Sequence, residues 1–436
     1  MVMTFKIHRG TKEIGGSCVE VWTDTTRIVI DFGMPLVNVD GSPFYSKKIQ
    51  NIPPDELTTQ GILPDIPDLF SDSPKTALII SHAHQDHYGL INHVSNKCKV
   101  YLGKATHRLI ELTNTFTNQQ WAIQNPCYFE SGKPFAIGDI TVIPYLMDHA
   151  AFDAYAFMIQ ADGKSLFYSG DFRIHGRKMK AFDWFSYHVD KGVDYLLLEG
   201  TSLSRKGVSF PTESEIESAL VETFKETDGI NLVYCSGQNI DRLVSVYRAC
   251  KRRGKTFVMD FYIANILADL AALGYNLPYP SENFPEIKVR FPFRLTKLVI
   301  AQGKGELAYR FKEYKITTPE IKAQYKNVVV TVRPSMTSDI TNFKNLSGGV
   351  LIYSQWDGYK KEKAVKDFLE YLEYKGMTIK DIHTSGHADL EGLKKMVEVL
   401  QPKHIVPIHT FEGNEYATVF ESFAVQIVND KEEIVL

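Results

Sequence analysis

One heptapeptide constrains this chain more than any other stretch: Ser81-His82-Ala83-His84-Gln85-Asp86-His87. Three imidazoles and one carboxylate fall within six residues, directly after the apolar run TALIIS (76–81). A continuous apolar run of that length fits a strand buried on both faces. A turn at a strand's end can aim alternate side chains into one space, so two ions can share one short motif. Imidazole nitrogen and carboxylate oxygen suit zinc, with manganese or iron next. With 13 histidines in 436 residues, a chance cluster of surface histidines is a poor account of this segment.

The rest of the composition leaves that pattern free for chemistry. A chain of 436 residues buries a sizeable core and needs no metal or disulfide merely to fold. Hydrophobic residues make up 44% and charged residues 23%, ordinary globular usage. Lys plus Arg is 49 and Asp plus Glu is 52, a net charge of −3, which excludes a polycation. A nucleic-acid partner would have to be held by a local basic groove. The five cysteines are odd in number and lack C-x-x-C spacing, so a reducing, cytoplasmic setting is expected rather than a disulfide framework. The start MVMTFKIHRG has no signal-peptide core, and no run approaches 18 apolar residues, so no membrane span is expected.

The first third reads as strands and turns: TFKIHRG, CVEVWTD, TRIVIDFG, and a hairpin about Asp162-Gly163. From about residue 209 the pattern becomes helix (212–226), strand (231–236), helix (238–252), strand (255–260) and helix (262–273). That alternation predicts a parallel, doubly wound sheet. NVVVTVR and GVLIYS add two strands, and a helix closes at Gly376. The tail returns to short strands in DIHTSGH, HIVPIHT and AVQIVND; between 274 and 326 the pattern is unreadable.

The His-rich segment resembles the H-x-H-x-D-H motif of the metallo-β-lactamase superfamily, without a gap. Further motifs of that superfamily follow in order: Asp31 ending TRIVIDFG, His149 in MDHAAFDAYAF, and Asp171 in FYSGDFR. The resemblance implies two zinc ions, with manganese as the alternative. One would take His82, His84 and His149; the other Asp86, His87 and a late histidine, with Asp171 bridging. Asp31 would orient the ligand loop from behind.

Three later elements resemble motifs A, B and C of the β-CASP nucleases: Glu199 after YLLL, His387 in SGHA, and His409 in PIHT. HRGTKEIGGSCVEV is similar to the opening of the ribonuclease J group, and Arg333-Pro334-Ser335-Met336 to a loop that faces substrate. The resemblance implies an α/β fold, a metallo-β-lactamase αββα sandwich carrying an inserted doubly wound β-CASP domain. The lactamase domain would span 1–208 and 376–436, with the insertion at 209–375. Family members that act on RNA carry histidine at motif C, so His409 implies an RNA substrate and completes the second ligand set.

The activity so implied is metal-dependent RNA hydrolysis, with Asp86, His387 and Glu199 catalytic and RNA between the domains. Ser335 and Arg242 would contact it. His387 would protonate the leaving 3′ oxygen and Glu199 would keep it cationic. A lactamase-fold hydrolase of a small ester or cyclic phosphate is the alternative reading; a non-catalytic RNA-binding scaffold is a third. Arg242, Arg248, Lys251, Arg252, Arg253 and Lys255 cluster on one helix, which fits a solvated face better than a phosphate track. His383 and His404 read as core or surface histidines.

Two departures from ribonuclease J stand out. The sequence ends at Leu436, before the further C-terminal domain of those enzymes, which leaves homodimerisation open. Where they carry S-N-I-H-R near a 5′-phosphate pocket, this chain has Gln238-Asn239-Ile240-Asp241-Arg242. An ionised Asp241 would repel a terminal phosphate, so cleavage independent of a 5′-monophosphate is expected.

Overall fold

The fold was analysed in a computed structural model, which describes residues 2–38, 42, 44, 49, 52–119, 122–343 and 345–436. The chain first lays down β1 (Thr4–Arg9), β2 (Cys18–Trp22), β3 (Arg27–Ile30), β4 (Ala77–Ile79), β5 (Lys99–Leu102) and β6 (Asn125–Tyr128), which pair in sequence order. A second sheet follows: β7 (Phe135–Ile137), β8 (Ile140–Met147), β9 (Ala154–Ala161), β10 (Lys164–Tyr168) and β11 (Tyr195–Glu199). The third sheet takes β12 (Asn231–Cys235), β13 (Thr256–Asp260), β14 (Ile287–Arg290), β15 (Val328–Thr331), β16 (Val350–Ser354) and β17 (Thr378–Asp381). The chain then returns. β18 (His404–Ile408) and β19 (Ala424–Val425) extend the second sheet beside β11, and β20 (Glu433–Val435) pairs with β1.

Strand alternation explains the layering. In β3, Ile28 and Ile30 point into a core shared with Phe157, Ile159 and Leu166 of the second sheet, while Val29 points the other way. Ala156 and Met158 of β9 face outward, under Phe182 and Phe185 of the helix Met179–His188 and Leu393 and Met396 of the helix Leu390–Leu400. The result is two sheets packed face to face with helices outside, the metallo-β-lactamase sandwich.

The third sheet is parallel throughout, in the order β14-β13-β15-β12-β16-β17. The helix Glu213–Glu226 starts on a capping box, Thr212 with Glu215, as the Pro-Thr-Glu-Ser-Glu segment suggests. The helix Phe261–Ala272 is capped by Asp260. The insertion does not stand apart from the sandwich: Phe116 of the helix Lys104–Thr117 lies 4.7 Å, ring to ring, from Tyr262.

Three local expectations shift. β17 pairs with β16, so the insertion's sheet runs past the expected boundary at 375. The segment after Asp381 is a loop rather than a strand, which frees His383 and His387 from any ladder. The unreadable 274–326 segment holds β14 and several short helices, among them Phe293–Ala301 and Thr318–Ala323, too short for periodicity to show.

Candidate metal centre

The expected ligands converge because each follows the C-terminal end of a strand on the same rim of the sandwich. Asp31 follows β3, His82 β4, His149 β8, Asp171 β10 and His409 β18, while Glu199 ends β11. The parallel register sets Glu199 opposite Ile408, which brings Glu199 beside His409. The short helix Gln85–Tyr88 carries Asp86 and His87. That turn is clamped by the N-terminal segment: Ser17 N donates to Asp86 O at 3.0 Å and Phe32 N to His87 O at 2.7 Å. Gly33 makes the approach feasible, since a Cβ there would fall 1.8 Å from Asp86 O.

Two ligand sets result. His82, His84, His149 and Asp171 each offer an atom within 4.8 Å of the others, and so do Asp86, His87, Asp171 and His409. Asp171 belongs to both. A third grouping, Asp171 with Glu199, His387 and His409, is equally compact. There, however, Glu199 is already occupied: it accepts from Phe172 N at 3.0 Å and Thr201 N at 3.3 Å, and lies 3.1 Å from His387 Nδ1.

The donor set fits divalent metal. His82 Nε2 is buried with no hydrogen-bond partner and points toward Asp171 Oδ2 at 3.7 Å. An orphaned buried nitrogen is costly unless something is bound there. His149 Nδ1 donates to Gly386 O at 2.6 Å, so its Nε2 keeps a lone pair, facing His84 Nδ1 at 3.2 Å. Burial, reinforced by neighbouring imidazoles, pushes His82 and His149 well below the usual histidine range, and burial lowers His84 as well. Neutral imidazoles are what a metal requires. Asp86 and Asp171 are held ionised: burial opposes their charge, but His409 and His87 outweigh it.

Behind the ligands, Asp31 accepts from Ser81 N and Ser81 Oγ at 2.7 Å, from His87 Nδ1 at 2.7 Å, and from Tyr168 Oη at 2.8 Å. It therefore fixes the His87 tautomer and the start of the ligand loop. Asp31 and His409 both take left-handed backbone, with φ of 60° and 55°. On the opposite side, burial alone would lower His387, yet the charges of Glu199 and Asp171 raise it to about 9.

Sequence reasoning missed the group that joins the insertion to this centre. Arg173 is completely buried. Its Nε donates to Asp148 at 3.0 Å, Nη1 to Ser385 O at 3.0 Å, and Nη2 to Asp241 at 2.6 Å. Asp148 precedes His149 and Ser385 belongs to the SGHA loop, so one guanidinium ties both to the insertion. The only signal was an arginine two residues after Asp171. Thr201, 2.8 Å from His409 Nδ1, and Tyr168 were also missed, because a hydroxyl on or after a strand reads as ordinary packing.

Two expected roles change. Arg242 is fully buried, with Nη2 on Glu213 at 3.0 Å and Nη1 on Ser354 Oγ, so it has no surface through which to meet a substrate. Asp241 does not present a bare carboxylate: Arg173 and Lys178 hold it, at 2.6 and 3.2 Å. Ser335 is exposed on the turn Pro334–Met336. Of the basic cluster, Arg248 and Arg252 are drawn to Glu217 and Lys251 to Glu286, a solvated helix face. The five cysteines are free, and no described helix is long and apolar enough to cross a membrane.

Comparison with known proteins bears on the domains and the fold. Residues 65–227 match the beta-lactamase superfamily domain, and 376–413 match the Zn-dependent metallo-hydrolase RNA specificity domain. Ribonuclease J from Helicobacter pylori (strain B128) is 26% identical over 92% of this chain and 55% of its own length. Ribonuclease J from Sinorhizobium meliloti is 23% identical over 80% of this chain and 60% of its own. The chain thus spans a little over half the length of these relatives. A crystal structure of a protein of unknown function from Enterococcus faecalis V583 superposes with a TM-score of 0.79 over 100% of both chains at 21% identity, a likeness of fold. The chain thus matches a beta-lactamase superfamily domain and a Zn-dependent metallo-hydrolase RNA specificity domain, is similar to ribonuclease J, and gathers a His/Asp cluster suited to divalent metal.

Proposed function

We propose that this protein is a metal-dependent ribonuclease that hydrolyses RNA phosphodiesters, with RNA lying between the sandwich and the insertion. One observation carries the reading: the Glu199–His387 pair stands directly beside Asp171, the carboxylate common to both ligand sets, with His387 Nδ1 3.8 Å from it. Two zinc ions, with manganese as the alternative, would be held by His82, His84 and His149 and by Asp86, His87 and His409, sharing Asp171; when bound they supply an activated water and neutralise charge on the phosphoryl oxygens.

The chain's own residues do the remainder. Glu199 accepts from His387 Nδ1, which leaves Nε2 free to carry a proton to the leaving 3′ oxygen. Glu199 thus positions the acid rather than touching substrate. Asp31 holds His87 in the tautomer that a metal ligand needs. Arg173 holds the SGHA loop through Ser385 O.

Cleavage should not depend on a 5′-monophosphate. The electrostatic reason differs from simple repulsion by Asp241: the cations there, Arg173 and Lys178, are already neutralised by Asp148 and Asp241. The test is incubation of metal-loaded protein with one end-labelled RNA of mixed structure, bearing 5′-monophosphate, triphosphate or hydroxyl. Internal fragments at similar rates for all three are expected. Mononucleotides released only from the monophosphate form would refute the internal mode, and intact RNA would refute the ribonuclease reading itself.

A further inference from the structure

We propose that Trp356, with Tyr359 set edge-on beside it, is a stacking platform for an unpaired base of single-stranded RNA at the mouth of the metal centre. The inference rests on the ribonuclease reading and adds to it how the strand is gripped.

Position is the first argument. The turn Asp357–Lys361 leaves the carboxyl end of β16, the end of a parallel sheet at which ligands gather. Tyr353 Oη donates to Trp356 O at 3.0 Å and anchors the turn to its strand. That end of β16 adjoins the loop that carries His387: Ile382 N donates to Tyr353 O at 3.0 Å and Ser354 Oγ to Ile382 O at 2.5 Å.

Form is the second. Trp356 is 57% exposed, yet its ring is fixed. The indole stands 5.4 Å from the Tyr359 ring at 86°, and it lies so close over Gly358 that a Cβ there would be 2.3 Å from its carbons. A rigid, exposed aromatic face loses little freedom when a flat partner stacks on it.

Charge is the third. Lys360 is engaged by Asp357 at 3.0 Å and Asp381 at 2.6 Å, but the adjacent Lys361 is exposed and has no ion pair among the described residues. An aromatic face beside an uncommitted cation, next to a site for phosphoryl chemistry, matches the alternation of base and phosphate along a single strand.

The experiment compares wild type, Trp356→Ala and Trp356→Phe on an unstructured oligoribonucleotide. Trp356→Ala should raise KM by about 5- to 100-fold, with kcat little changed, and Trp356→Phe should recover most of the loss. Indole emission should be quenched by RNA in the wild type and much less in Trp356→Ala. An oligomer of abasic residues should bind both proteins equally weakly. Unchanged KM and unchanged quenching in Trp356→Ala would overturn the platform while leaving the ribonuclease reading intact. If the wild type cleaves no RNA, that reading fails separately. Binding of the uncleaved oligomer then decides the platform: weaker binding by Trp356→Ala sustains it and equal binding overturns it.

Discussion

Arg173 of the sandwich and Asp241 of the insertion meet at 2.6 Å, with the arginine wholly buried and the aspartate 5% exposed. Removing one partner of a buried pair strands the other's charge, at a cost of about 3–5 kcal/mol. Asp241→Ala should lower stability by that order in denaturant unfolding, and a paired Asp241→Leu, Arg173→Met variant should be less damaged than the sum of the single changes. Strict additivity would show that the two residues do not interact.

Metal content follows from the ligand sets. Reconstituted protein should hold about two equivalents of zinc, with Zn–N distances near 2.0–2.1 Å by X-ray absorption. His82→Ala should lose one of them, and chelation should lower the melting temperature, since a ligand that binds only the folded state stabilises it. Trace metal after reconstitution would contradict both ligand sets.

His387 acts on substrate in the proposed mechanism. His387→Ala should therefore slow RNA cleavage by roughly 10²–10⁴-fold with metal content unchanged. Glu199→Gln should lose less, because it positions the acid. A His387→Ala protein that loses metal would place this histidine among the ligands instead.

Stability should respond to His383. Burial, aided by the Arg242 cation, lowers its pKa to about 4. In the unfolded chain it binds a proton near pH 6.5. Between those values the unfolded state takes up more protons, so stability declines as pH falls from about 6.5 to about 4 and this contribution levels off below. The loss should be on the order of 1–3 kcal/mol, and His383→Gln should flatten the slope in that window. An identical slope in the variant would assign the pH dependence to other groups.

The sequence carried the local information. TALIIS followed by three imidazoles and a carboxylate declares a buried strand ending in ligands, because the apolar run and the ligand chemistry both lie within twelve residues. The β-α alternation after residue 209 likewise declares the parallel sheet, and Asp162-Gly163 its hairpin, with φ of 50° and 73°. Strand membership of Thr378–Asp381 was not legible, since one short polar strand pairs wherever an open sheet edge is offered.

Tertiary structure alone decided which distant groups meet. Arg242 and Asp241 follow one another in sequence, yet one is paired with Glu213 and the other with Arg173. Neither pairing has a local signature, because a charge's partner depends on which elements pack against it. The same holds for Tyr168 Oη on Asp31 and for the orphaned Nε2 of His82. Residue type and spacing set what chemistry the chain can do; desolvation and the convergence of strand ends fix which of those residues are paired, neutral or left waiting for a ligand.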